Sequence, residues 1–201
     1  MASSRRQAEK VRLDADGDAL LLVDVINDLE FPGGEKVLPW AERLVRPLLS
    51  LRALCRRAGV PVIYANDNFG LWRGDRADVV AHCAARGVRG GAVSRRLRPG
   101  RGDYFILKPR HSAFFCTPLR PLLEHLGRRR LILGGMATNM CVLATAHDAA
   151  MHGFPIVVVS DCCAAESDFD HNVVLSQLQR YFKARVCRAS EIGAGGAGRR
   201  G

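Results

Sequence analysis

The sequence predicts an α/β domain built on a doubly wound, mainly parallel sheet. Short, continuously apolar runs alternate with helical patterns along the chain, as in parallel strands covered on both faces. Strand–helix alternation with right-handed crossovers folds into such a sheet. The chain has 201 residues, 48% of them apolar. That is enough for one real core, and the pattern shows no repeat and no second domain. The expected domain spans residues 16–190, with a disordered tail at 1–15 and a flexible Gly/Arg tail at 191–201.

Six strands are expected, at Ala19–Val25, Val60–Ala65, Tyr104–Leu107, Leu131–Leu133, Ile156–Ser160 and Ala184–Cys187. Helices fall between them. Val37–Ala58 has a helical pattern that Pro47 should break or restart. Asp75–Arg86 is a further helix, inside a 66–103 stretch that otherwise reads as a Gly/Arg-rich loop. Thr117-Pro118 opens a helix as N-cap and first-turn proline, and Gly127 closes it. Met140–His152 is next, closed by Gly153. Ser167–Phe182 places Val174, Leu178 and Tyr181 on one stripe, with Asp168 and Asp170 in its first turn.

Composition excludes several classes. No apolar run approaches the roughly 20 residues of a membrane span. The start, MASSRRQAEKVRLDADGD, has no apolar signal-peptide core, so no membrane partner and a cytoplasmic location are expected. None of the seven cysteines forms a CxxC pair, so zinc-finger spacing is absent. Cys55 and Cys187 fall on apolar stripes and read as reduced core thiols. The net charge of +10 comes mostly from arginine, concentrated only in RGVRGGAVSRRLRPGR, residues 86–101. That segment has no interleaved aromatics and reads as a solvated loop, so no specific nucleic-acid partner is expected.

Open α/β sheets bind ligands beyond the carboxyl ends of their strands. Strand one there meets Asp24, strand two Asn66-Asp67-Asn68, strand three Lys108, and strand four leads through LILGGMATNMC to Cys141. Singly, each has an ordinary use: Asp24 as a turn cap, Lys108 as a surface lysine, Cys141 as a small core hydrophobe. At equivalent strand ends they form a site. Asp24 can take the thiol proton, Lys108 can stabilise both anions, and a helix start supplies N–H donors for an oxyanion. This suits attack on a carbonyl and hydrolysis through a thioester. His111 is an alternative base that would line the pocket. His147 and His152 should lie on the outer face of the helix after Cys141.

The segments LLVDVINDLEFPGG, VPVIYANDNFG, YFILKPRHSAFFCTPL and GGMATNMCVLATAHDAAMHGF carry a resemblance to the isochorismatase-like cysteine hydrolases, which include nicotinamidases and N-carbamoylsarcosine amidases. It runs from about Ala19 to Cys187. The resemblance implies a six-stranded parallel sheet with helices on both faces and a catalytic triad of Asp24, Lys108 and Cys141. It also implies a cis peptide between Met136 and Ala137, and an oxyanion hole of the Ala137 and Cys141 N–H groups. Asn68, Phe69, Trp72, His111, Phe114 and Phe115 are the expected pocket residues. The metal motif of nicotinamidases, Asp-x-His, is replaced by Asp67-Asn68-Phe69, so no metal and no other cofactor is expected. Isochorismatases proper cleave a vinyl ether and lack the cysteine, so Cys141 argues against that activity. Ile26 stands where many relatives have glutamine.

The expected activity is hydrolysis of an amide or ureide C–N bond in a small carbonyl substrate, by a homo-oligomer, most simply a dimer. The alternatives are a hydrolase of an ether or ester on the same fold, and a catalytically silent basic binding protein.

Overall fold

The computed structural model describes residues 10–195. Its centre is a six-stranded sheet in which every neighbouring pair is parallel. In chain order the elements are β1 (Val11–Arg12), β2 (Asp18–Val23), α1 (Gly34–Arg57), β3 (Val62–Asp67), α2 (Arg76–Cys83), α3 (Gly91–Arg96) and β4 (Tyr104–Lys108). They continue with α4 (Leu119–His125), β5 (Arg130–Met136), a π-helical turn (Thr138–Val142), α5 (Leu143–Met151), β6 (Ile156–Ala164), α6 (Asp168–Phe182), β7 (Arg185–Cys187) and β8 (Ile192–Gly193). The strand order is β4-β3-β2-β5-β6-β7. The chain builds outward from β2 to β4, then returns to the other side of β2. The crevice between β2 and β5 is therefore the switch point where such sheets bind ligands.

The six expected strands all form. Alternation along β2 shows how the sheet is covered. Leu20 and Leu22 face a core shared with α1, whereas Ala19, Leu21 and Val23 face the core under α4, α5 and α6. Gly135 of β5 has φ +136, and a Cβ there would lie 2.0 Å from the Val23 carbonyl oxygen. Only glycine lets β5 pass so close to β2 just before the π-helical turn. Opposite it, the β5–β6 register slips between Leu133 and Gly135.

Four expectations need correction. Pro47 does not interrupt α1, which runs for 24 residues with Pro39 and Pro47 inside it. A mid-helix proline costs about 3 kcal/mol. Val37, Ala41, Leu44, Val45, Leu48, Leu51 and Cys55 bury one continuous stripe. At roughly 1.5–3 kcal/mol for each large apolar side chain, that stripe outweighs the break. Second, the 86–101 segment is not simply a solvated loop. It contains α3, with Val93, Ser94 and Leu97 buried. Ser94 Oγ both donates to Asn27 O and accepts from Asn27 N at 3.0 Å. Arg95 donates to Ala84 O and Ala85 O, and Arg89 caps Leu29 O and pairs with Glu30. Arginines that read as surface charge are partly internal fasteners.

Third, the two expected tails are ordered at their inner ends. Val11 pairs with Ile192 and Arg12 with Gly193 in a two-stranded parallel sheet, because Val11, Leu13 and Ile192 bury apolar side chains there. Residues 1–9 and 196–201 lie outside the described residues. Fourth, Tyr181 is exposed; the buried stripe of α6 is Val174, Leu175 and Leu178. Two helix starts carry side-chain caps. Ser167 Oγ accepts from Asp170 N at 3.1 Å. Asp75 and Asp78 close a capping box at α2. Among the described residues no helix is long and apolar enough to cross a membrane.

Candidate active site

Three strand ends converge at the switch point. Asp24 follows β2 and adopts φ +50, a left-handed conformation uncommon outside glycine. Its N–H donates to Ala65 O at 2.9 Å, which holds the chain against β3 as it turns. Lys108 ends β4, the edge strand, two strands away from β2. Adjacent strands are roughly 4.8 Å apart, so only a long side chain spans the gap. Lys108 is fully buried, and its Nζ lies 2.7 Å from Asp24 Oδ2 and 3.6 Å from Cys141 Sγ. It also donates to Arg110 O at 3.0 Å. Cys141 lies in the π-helical turn ahead of α5, half-buried.

The electrostatics follow from burial and spacing. Burial raises the Asp24 pKa above the ordinary carboxylate range despite Lys108, the thiol and the Asp67 N–H, all of which favour its anion. For Lys108, burial alone would favour the neutral amine, but the Asp24 carboxylate and Cys141 outweigh it and hold the ammonium. Burial and then Asp24 push the Cys141 thiol well above its usual value, against the pull of Lys108. Asp24 is a stronger base here than a solvated carboxylate.

The turn carrying the thiol is closely tied. The Met136–Ala137 peptide is cis. Ala137 O accepts from Met140 N at 3.0 Å and from Val142 N at 3.2 Å. Thr138 Oγ1 donates to Ala164 O at 3.1 Å and lies 2.9 Å from His171 Nδ1. The sequence reading missed His171; the only signal was a histidine in the first turn of the helix following β6. On the Asp24 side, Asp67 N donates to Asp24 Oδ1 at 2.7 Å.

The residues expected around the pocket are not equivalent. His111 Nδ1 is 3.7 Å from Cys141 Sγ. Asn68 is buried beside β4, its N–H donating to Lys108 O at 3.2 Å. Phe69 has φ +51 and packs edge-on against His82. Trp72 is 80% exposed and Phe115 52% exposed on the loops after β3 and β4. Phe114 is a core residue, packed against His152 and Phe154. His152 is exposed, but His147 is not on an outer face. Its ring stacks on Phe182 at 4.3 Å, because α6 covers that side of α5.

The metal motif of nicotinamidases does not fit these residues. Asp67 Oδ1 accepts from Phe69 N at 2.6 Å, Phe69 offers no ligand atom, and His82 Nε2 is bonded to Asp28 Oδ2 at 2.8 Å. Among the described residues no group of three or more His, Cys, Asp or Glu could hold a metal ion.

Comparison with known proteins agrees with this architecture. Residues 18–191 match the isochorismatase domain family. The uncharacterized isochorismatase family protein YaaI of Bacillus subtilis is 38% identical over 174 residues, covering 87% of this chain and 95% of YaaI. Maleamate amidohydrolase of Pseudomonas putida is 29% identical over 178 residues, covering 85% of this chain and 83% of that enzyme. The crystal structure of N-carbamoylsarcosine amidase from Thermoplasma acidophilum superposes with a TM-score of 0.66 at 28% identity, over 86% of this chain and 96% of that one. A family match across most of the chain, together with a relative aligned over nearly its whole length, places this chain in the isochorismatase family of hydrolases.

Proposed function

We propose that this chain is a cysteine amidohydrolase that cleaves an amide or ureide C–N bond in a small, non-peptide substrate. The observation that carries this reading is Lys108 Nζ at 2.7 Å from Asp24 and 3.6 Å from Cys141 Sγ, which brings carboxylate, ammonium and thiol together. Relatives named maleamate amidohydrolase and N-carbamoylsarcosine amidase support the bond type.

Cys141 Sγ attacks the substrate carbonyl carbon while its proton passes to Asp24. Burial makes Asp24 a stronger base than a solvated carboxylate, which favours that transfer. The Lys108 ammonium neutralises the sulfur anion as it forms. The carbonyl π electrons move onto oxygen, and the Ala137 and Cys141 N–H groups stabilise that oxyanion. Collapse breaks the C–N bond, and Asp24 returns the proton to the departing nitrogen, leaving a thioester. Water then attacks the thioester as Asp24 takes its proton. The acid is released and the thiol re-forms, with one water consumed per bond cleaved. His111 lines the mouth of the site beside the sulfur.

The test is a panel of small amides and ureides assayed for release of ammonia or amine, with acid-quenched samples weighed intact. The expected result is an acyl adduct on Cys141 and no turnover in Cys141→Ala. Turnover by Cys141→Ala at the native rate would overturn the mechanism.

A further inference from the structure

Thr138 is the residue after Ala137, and its hydroxyl is buried between two elements outside its own turn. The hydroxyl has one proton. Ala164 O can only accept, and it takes that proton at 3.1 Å. His171 Nδ1, 2.9 Å from the same oxygen, must therefore donate. The ring is half-buried, and burial lowers its pKa, opposed by Asp168. The neutral tautomer with its proton on Nδ1 fits both facts. Two further bonds shape the turn, from Met140 N and Val142 N to Ala137 O. They lie within the turn and do not fix where it stands relative to the sheet. The Thr138 hydroxyl does, because Ala164 ends β6 and His171 stands in the first turn of α6. His171 also borders an open groove of about 1180 Å³ together with Trp40, Ser160 and Asp168, so its side chain can be changed without emptying the core.

We propose that His171 is a positioning residue: through the Thr138 hydroxyl it holds the Ala137–Cys141 turn where its N–H groups meet the developing oxyanion. This rests on the reading of Cys141 as the nucleophile. Neither His171 nor Thr138 touches the reacting atoms. The effect is geometric, and misplacement by about 1 Å is worth roughly 100-fold in rate.

Two reagents that attack the same sulfur separate this role from a general structural one. Acylation of Cys141 by 4-nitrophenyl acetate passes through an oxyanion: sulfur adds to the carbonyl, and collapse expels 4-nitrophenolate. Alkylation by iodoacetamide displaces iodide directly and forms no oxyanion. Both are followed at Cys141 by peptide mapping, because Cys116 is an exposed competing thiol. His171→Leu is expected to slow acylation about tenfold or more, while alkylation stays within about twofold of native. His171→Asn, which places an amide N–H near the lost Nδ1–H, should recover acylation to within about threefold. Thr138→Val should match His171→Leu, and the double variant should be no slower than either single one, as for two members of one linkage. Equal slowing of both reagents would make His171 a structural residue and overturn the proposal, as would native acylation in His171→Leu. Failure of 4-nitrophenyl acetate to acylate Cys141 in the native protein would instead overturn the nucleophile reading beneath it.

Discussion

Asp18 opens β2 and Asp24 follows its last residue; both carboxylates are buried, and each faces a cation on another strand. At the amino end, Arg130 reaches Asp18 with a two-pronged contact, Nε to Oδ1 and Nη2 to Oδ2, each at 2.7 Å. Asp14 N adds a third donor at 2.8 Å. At the carboxyl end, Asp24 receives one ammonium and one backbone N–H, each at 2.7 Å, and its remaining capacity faces a thiol. The guanidinium fork grips both oxygens of its partner and fixes it. The point-charge lysine leaves its partner able to take a proton. The same residue type thus serves as a clamp at one end of β2 and, in the proposed mechanism, as a base at the other.

The sharpest way to break this contrast is to neutralise each carboxylate in turn. Asp24→Asn should stay folded and lose about 10²–10⁴-fold in turnover, the range for removing a general acid–base. Lys108→Ala should fall comparably. Asp18→Asn should leave turnover nearly unchanged but destabilise the fold by about 3 kcal/mol, because Arg130 and Asp14 N lose a buried anion. Chemical denaturation and steady-state assays on all three would decide. A large activity loss in Asp18→Asn at intact stability would end the distinction.

Alkaline titration sharpens the same comparison. The Lys108 pKa is raised above its ordinary value of 10.5 in the folded state. Its contribution to stability is complete below that value and is lost as pH rises through the folded pKa. As pH rises above about 10.5 the native protein should therefore lose more stability than Lys108→Met, by at most roughly 1.4 kcal/mol per pH unit. Arg130 also has a raised pKa, through Asp18, from a higher starting point, so the clamp end should hold through this range. Parallel melting curves for the native protein and Lys108→Met would check the sign. The smallest expected effect is from metal removal. Lys108 supplies the positive charge at Asp24, Phe69 offers no ligand atom, and His82 is bonded to Asp28. Dialysis against a chelator should leave turnover unchanged. Loss on chelation with recovery on adding zinc would show a different source of charge.

Those parts of the fold governed by local pattern were readable in advance. The six strands are short apolar runs. Asp24, Lys108 and Cys141 could be grouped because strand ends in a parallel sheet share one rim. What escaped reading depends on partners distant in sequence. Pro47 stays helical because a long stripe is buried against the sheet. Val93 and Leu97 looked like isolated apolar residues in an arginine-rich loop until α3 placed them under α1 and α2. The strand at Val11–Arg12 has no partner within 170 residues of chain, and none of its neighbours in sequence announces Ile192. Phe114 and Phe115 are adjacent and chemically identical, so sequence could not assign one to the core and the other to the surface. His171 reaches Thr138 across 33 positions, a link that exists only once α6 has docked.

The pairing of β1 with β8 also determines how the molecule would respond to force. The two strands are parallel, Val11 beside Ile192 and Arg12 beside Gly193, with a further bond from Leu13 N to Gly193 O at 3.0 Å. Tension applied at the two ends of the chain pulls β1 toward its start and β8 toward its finish, in opposite directions along a shared axis. The hydrogen bonds are then loaded together in shear instead of opening one after another like a zip. The six-stranded sheet and the rim that carries Asp24, Lys108 and Cys141 remain shielded from tension until this small lock slides. In single-molecule stretching, rupture of the lock should appear as a first, separate event before the sheet unravels, and Val11→Pro, which blocks pairing in β1, should erase it.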